Sequence, residues 1–424
     1  MKQKRIMILG GGSSQISLLR RCVDLGHFVI LADMNPQCPG RELCHSFAEA
    51  STFDWHEVYR AAEKENIDGI TTMGTDQPVL TCARVAEKLS IPSFLDAATA
   101  AAVTNKGIMK NRLKEMDFPT PPFRLLHKYF TDNDLEGMSF PVVIKPQDSQ
   151  GQRGIFYVTA INEIRKNFDE VLRFSRENEI LAEEYYPSTE ITVSGWIVEG
   201  KTNIYSITDR VTFDQKPHIG ICAAHRYPSM HVKKHRKEIG EFTSALVREF
   251  GIQNGPIYFQ MLLGEKGLMT NELACRLGGA YEDEFIPRIC GVPILDLLIK
   301  GALGECISQD DAVPKTGKGF TPYVTVPLLF ADECRIRSYP DTRQIRALPG
   351  VVNVSFLQSP GTVISEMVNS TQRIGYCIIE GKTGKEINLR TKEVFSHLKI
   401  YSEKGSQCLK DSLLYCLHPE KENQ

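Results

Sequence analysis

Two lysines stand where an ammonium group could meet phosphate oxygens. In "TNKGIMK" Lys106 heads a helix, and in "FPVVIKPQDSQGQRGIFYV" Lys145 ends an apolar strand. The loop after Lys145 carries Gly151 and Gly154, which let backbone N–H groups come close to a polyphosphate. It is not a Walker loop, because G-x-x-x-x-G-K-[ST] is absent. Downstream, "ILAEEYYPSTEITV" holds Glu183 and Glu190 on either side of a short connection. Carboxylates there can accept from sugar hydroxyls while the strand backbone reads an adenine edge. In "GPIYFQMLLGEKGLMTNELACRLGGAYED", Gln260 and Glu272 fall on consecutive strands, followed by Arg276 and Gly278-Gly279. A side-chain carbonyl and a carboxylate are hard oxygen donors, the kind Mg2+ takes together with phosphate oxygens. Each residue alone is most often a solvated charge. Their order along the chain is what points to nucleotide chemistry.

Other stretches suggest where a second ligand would sit. "GTDQP" (74–78) ends a strand of the first section, where doubly wound sheets gather ligands. Arg210 in "TDR", with His225 and Arg226 in "AAHRYPS", could hold a carboxylate, since arginine grips one bidentately. The plain alternative makes His225 and Arg226 exposed loop residues. In the N-terminal "ILGGGSSQ", Gly10 and Gly12 satisfy the first half of G-x-G-x-x-G, but Gln15 stands where the third glycine belongs. Asp33 closes the second strand about twenty residues on, where a ribose-binding acid would sit in a dinucleotide site. Three readings stay open for this turn: a nicotinamide dinucleotide site, a structural strand-to-helix turn, or a helix N-terminus that holds a substrate anion.

The elements that must position these residues change character along the chain. Residues 1–103 alternate short apolar strands ("RIMIL", "HFVILAD", "DGITTMG") with amphipathic helices, the rhythm of a small doubly wound parallel sheet. "DAATAAAVTNKGIMKNRLKEM" reads as helical, and "FPTPPF" ends it. Residues 104–310 carry antiparallel-looking β runs and read as α+β; residues 311–424 hold short strands, turns and a terminal helix. The fold class expected is thus α/β and α+β.

Composition excludes several functions. A net charge of −2 and the lack of a dense basic block leave no phosphate-tracking nucleic-acid surface. "HVKKHRKE" (231–238) reads as the wet face of a helix. The twelve cysteines contain no C-x-x-C pair, so they read as reduced thiols in a cytoplasm. No apolar run approaches the roughly 20 residues of a membrane span, and the apolar stretch near the N-terminus is too short for a signal peptide. Disorder is expected at the tail, "HPEKENQ".

Together, "PVVIKP…SQGQRGI", "AEEYYPSTE" and "NELACRLGG" resemble the ATP-grasp superfamily, over the whole chain, in the manner of carbamoyl-phosphate synthetase large chain, biotin carboxylase and the L-amino acid ligases. The resemblance implies an N-terminal doubly wound domain, a central ATP-grasp domain and a β-rich C-terminal subdomain. It implies that Lys106 and Lys145 contact ATP phosphates under a loop from Ser149 to Gly154. Glu183, Glu184, Tyr185 and Tyr186 would line the adenine, and Glu190 would take the ribose hydroxyls. Gln260 and Glu272 would hold Mg2+ or Mn2+, and Arg276 would steady the transferring phosphoryl group. Two departures are visible: Gln260 stands where Glu is usual, and E-x-N-x-R reads with Ala274 in place of Asn. The implied activity is ATP-dependent joining of a small-molecule carboxylate to an amine through an acyl phosphate, with Gly278, Gly279, Arg210, His225 and Arg226 toward the substrate. A bicarbonate-activating enzyme and a non-catalytic nucleotide binder are the alternatives. No nucleic-acid or membrane partner is expected, and a homodimer is the compatible assembly.

Overall fold

The computed structural model describes residues 3–213, 215–315, 317 and 319–419. Its first section is a four-stranded parallel sheet of β1 (Arg5–Leu9), β2 (Phe28–Asp33), β3 (Ser46–Glu49) and β4 (Gly69–Thr71), in the order β3-β2-β1-β4. β1 and β2 are nearly continuous apolar runs because helices cover both faces. Those helices are α1 (Ile16–Asp24), α2 (Trp55–Glu65) and α3 (Gln77–Leu89). β3 was not apparent in the sequence, since its four residues "SFAE" are half-buried at a sheet edge and carry no apolar run.

The helical stretch before "FPTPPF" is two helices, α4 (Ala97–Ala102) and α5 (Lys106–Glu115). Asn105 divides them: its side-chain oxygen accepts from the Ile108 N–H at 3.0 Å and caps α5. That cap puts Lys106 in the first turn of α5 and Lys110 one turn later on the same face.

A four-stranded antiparallel sheet follows, built from β5 (Phe123–His127), β6 (Val142–Pro146), β7 (Phe156–Val158) and β8 (Glu179–Glu184), with α6 (Ile161–Leu172) packed on it. The chain then forms β9 (Ser188–Val198), β10 (Lys201–Thr212), β11 (Cys222–Tyr227), β12 (Gly255–Gly264) and β13 (Gly267–Ala274). Beyond these lie β14 (Tyr323–Leu329), β15 (Cys334–Ser338), β16 (Val351–Phe356), β17 (Val363–Ile364), β18 (Gly375–Gly381) and β19 (Tyr401–Ser402). An eight-stranded antiparallel sheet runs β13-β12-β9-β10-β11-β14-β18-β16. It therefore crosses residue 310 without a break, and the C-terminal section shares a sheet with the middle one.

The basic stretch 231–238 opens the helix Val232–Glu249, whose lysines point to solvent. All twelve cysteines are unpaired. Among the described residues no helix is long and apolar enough to cross a membrane. Of the tail, residues 420–424 lie outside the described residues.

Candidate active site

Two cavities meet between the two antiparallel sheets and the N-terminal section. The first, about 440 Å³, is lined by β6, β8 and the connection after β8, and carries Lys145, Glu183, Glu184, Tyr185, Tyr186 and Glu190. The second, about 380 Å³, is lined by Ser13, Ser14, Asp76, His225, Arg276, Gly279, Tyr281 and Arg373, among others. Lys106, Arg210, Gln260 and Glu272 line both. A polar junction between two chambers can pass a group from one ligand to another, and both volumes fit ordinary ligands.

The junction is a set of buried, matched charges. Lys106, 6 % exposed, donates to the Ser149 carbonyl at 2.8 Å and pairs with Glu272 at 2.8 Å. Lys145, 5 % exposed at the end of β6, pairs with Glu183 at 3.0 Å. Lys110 reaches the other oxygen of Glu183 and donates to the Thr270 carbonyl at 3.1 Å. Burial would push both carboxyls up, but Lys106 at Glu272, and Lys110 with Lys145 at Glu183, hold them below the usual glutamate range. Burial wins at Lys110, whose ammonium is pushed down to about 8 against the pull of Glu183. Lys110 was missed in the sequence, although its spacing of one helical turn from Lys106 was the available signal.

Gln260 and Glu272 are directly opposed residues of β12 and β13, so their side chains share a face. Among the described residues no cluster of three or more His, Cys, Asp and Glu could hold a metal alone. One carboxylate and one amide carbonyl suit Mg2+, which keeps waters and takes phosphate oxygens. The first cavity, here called the nucleotide chamber, likewise fits a polyphosphate, since the buried ammonium groups of Lys106 and Lys145 line it; the second, here called the substrate chamber, is lined by the buried Ser149, whose hydroxyl has no protein partner.

Several residues sit differently from expectation. Glu183 lines the nucleotide chamber, but its carboxylate is clamped between two lysines. Glu190 lines it too and is held by Arg210, which also donates to the Gly220 carbonyl at 2.9 Å. Arg226 is not a substrate-chamber residue: it pairs with Asp209 at 3.2 Å, donates to the Leu417 carbonyl at 2.6 Å and lines only the nucleotide chamber. His225 reaches the substrate chamber without charge, since burial, then Arg210 and Arg373, push its imidazole down to about 3. Gly154 lines neither chamber; a Cβ there would meet Phe174 at 2.8 Å, so this glycine (φ +69°) serves packing. Gly278 is likewise packed, its Cβ position lying 2.3 Å from the Glu282 carboxyl, whereas Gly279 does line the substrate chamber.

Arg276 is in the substrate chamber, gripped by Asp76 of "GTDQP" at 2.6 and 2.7 Å, with its guanidinium 4.7 Å from the Tyr258 ring centre. The N-terminal turn is a structural device with a polar tip. Asp33 accepts from the Gly11 and Asn35 N–H groups, each at 2.8 Å, while Gln15 donates to the Met73 carbonyl. Asp33 thereby ties the turn together, and only Ser13 and Ser14 reach the substrate chamber. The loop over the junction is held from two sides. The Gln150 side chain accepts from the Asp76 N–H at 2.7 Å; the Gly151 carbonyl accepts from the Ser370 N–H at 2.9 Å, and the Ser370 hydroxyl meets Gln152.

This arrangement of sheets is that of the ATP-grasp fold. The ATP-grasp domain family matches residues 138–283, so the chain carries an ATP-grasp domain. The family described as L-amino acid ligase C-terminal domain 2 matches residues 328–403. The crystal structure of L-amino acid ligase from Bacillus licheniformis superposes with a TM-score of 0.79 at 17% identity, covering 95% of this chain and 100% of that one. Dapdiamide A synthase of Enterobacter agglomerans is 21% identical over 240 residues, 54% of each chain. Carbamoyl-phosphate synthase of Methanobrevibacter smithii is 27% identical over 138 residues, 31% of this chain and 36% of that protein. The chain thus spans between about a third and about half of those two relatives.

Proposed function

We propose that this protein is an ATP-dependent carboxylate–amine ligase that releases ADP and phosphate. The observation that carries the reading is the shared wall: Lys106, Arg210, Gln260 and Glu272 face both chambers at once. A carboxylate is a poor electrophile, and phosphorylating its oxygen supplies a leaving group that an amine can displace. The residues on hand suit that task by position and charge rather than by nucleophilic attack. Lys145 and Lys106 neutralise phosphate oxygens, and the Ser149–Gly154 loop excludes water above them. Gln260 and Glu272 would hold Mg2+, which would offset charge on the phosphates. Arg276, fixed by Asp76, presents its guanidinium to the substrate chamber. The L-amino acid ligase C-terminal match and the dapdiamide A synthase similarity support amino acids as substrates.

The test is ADP release from ATP and Mg2+ across pairs of amino acids and small carboxylates, with bicarbonate as a separate arm. Stimulation by a carboxylate with an amine, with the amide product found by mass spectrometry, is the expected result. Turnover driven by bicarbonate alone, or tight ATP binding without ADP release in any arm, refutes the reading.

A further inference from the structure

One end of the substrate chamber holds two buried donors with nothing to donate to. Arg373 enters just before β18 and lines this chamber but not the nucleotide chamber. One of its terminal nitrogens donates to the Gly279 carbonyl at 3.3 Å, while its Nε is buried without a partner. The other cations of this chamber each have a carboxylate: Lys106 has Glu272, Arg210 has Glu190, and Arg276 has Asp76. Among the described residues Arg373 has no such ion pair. Beside it is Tyr281, 5 % exposed, whose hydroxyl is also buried and unsatisfied. Arg373 and Ser13 come within reach of that hydroxyl without hydrogen-bond geometry.

Tyr281 is held there at a cost. Its backbone is in the left-handed region at φ +64°, unusual for a bulky residue and a mark of functional sites. Its ring stacks on Tyr376 with centres 3.4 Å apart and planes 13° apart, and the Tyr376 hydroxyl donates to Glu284 at 2.8 Å. The phenol is thus braced by Tyr376 where Tyr281 lines the chamber.

We propose that Arg373 and Tyr281 form a subsite for a carboxylate that is not the one activated, so that one substrate keeps a free carboxylate throughout the reaction. A single guanidinium edge with a neutral hydroxyl matches one negative charge in a planar group, whereas a phosphate dianion calls for more positive charge. The activated carboxylate belongs at the junction with Lys106, Gln260 and Glu272, and this subsite lies outside that shared wall. The subsite rests on the ligase reading for its meaning, since it makes one substrate, the amine bearer, an acid such as an amino acid.

The test is calorimetric titration of the full chain, with MgADP present, using each standard L-amino acid and the carboxamide of the same amino acid. At least one acid is expected to bind roughly 10-fold or more tightly than its amide, the range of a charge-assisted hydrogen bond. Arg373→Gln should bring that acid-to-amide ratio to about one, Arg373→Lys should retain part of it, and Tyr281→Phe should weaken the acid roughly 3- to 10-fold. No preference for any acid over its amide, or a preference that survives Arg373→Gln, overturns the proposal. So does tighter binding of inorganic phosphate than of every acid. Acid preference in a chain that never releases ADP keeps the subsite and refutes the ligase reading. ADP release without acid preference refutes the subsite alone.

Discussion

Glu183 offers the sharpest test of the buried charges. Its two oxygens face Lys110 and Lys145, all three side chains are at most 6 % exposed, and Lys110 has no exposure at all. Glu183→Gln keeps the volume and removes the charge, leaving two ammonium groups together in the interior. Breaking a buried pair from one side costs about 3–5 kcal/mol. At about 2–4 °C per kcal/mol for a cooperative unit of this size, the melting midpoint should fall by about 6–20 °C near pH 7. The pH dependence separates charge from packing. Lys110 titrates near 8 in the native fold against an ordinary 10.5, so the unfolded chain binds the extra proton between those values and folding gains stability as pH rises. Without Glu183 the pull that opposes burial is lost, so Lys110 is driven further toward its neutral form. Between about pH 7 and about pH 9 the variant then gains more of this slope than the native chain does, so the deficit should shrink by about 1 kcal/mol. Calorimetric or fluorescence melts at both pH values measure this. A midpoint within 2 °C of native near pH 7, or a deficit that does not change with pH, refutes the reasoning.

Three further outcomes are expected. Gln260→Glu should tighten the Mg2+ dependence of nucleotide binding roughly tenfold, since a carboxylate holds this hard cation better than an amide; an unchanged Mg2+ titration removes Gln260 from the metal site. Ser370→Ala breaks the hydroxyl contact to Gln152 and should speed release of a fluorescent ATP analogue roughly 2- to 10-fold, with Ser370→Thr restoring it; equal release rates would make that contact incidental. His225, neutral down to about 3 against an ordinary 6.5, opposes folding as pH falls, because only the unfolded chain takes the proton in that window. His225→Asn should therefore reduce the loss of stability between about pH 6.5 and about pH 5 by roughly 2 kcal/mol in denaturant titrations, and an unaltered acid limb would show the ring is charged.

What could be read from the sequence is what is local. Lys145 at a strand end, Gln260 opposite Glu272 and the helix start at Lys106 follow from apolar periodicity, a turn and an Asn-type cap. Asp76 with Arg276, separated by 200 residues, does not, because neither neighbourhood carries any mark of the other. The same holds for Arg373, which lies in a turn between short strands and gains its meaning from Tyr281 and Gly279 alone. Arg226 shows the opposite failure: an arginine beside a histidine on a strand invites a ligand role, and a C-terminal carbonyl and Asp209 have taken its two terminal nitrogens.

The loop over the junction ties these distant pieces to one event. Gln150 holds it to the N-terminal section at Asp76, and Ser370 holds it to the C-terminal section three residues before Arg373. Asp76 also fixes Arg276, so both anchors of the loop belong to segments that line the substrate chamber. A ligand that draws Arg373 or Arg276 toward itself must act on those segments, and through them on the loop over the junction. This gives the three sections a physical reason to share one cavity. The glycine turn near the N-terminus fits the same logic: its glycines and Asp33 make the bend, and the bend delivers Ser13 and Ser14 to the chamber wall beside Tyr281.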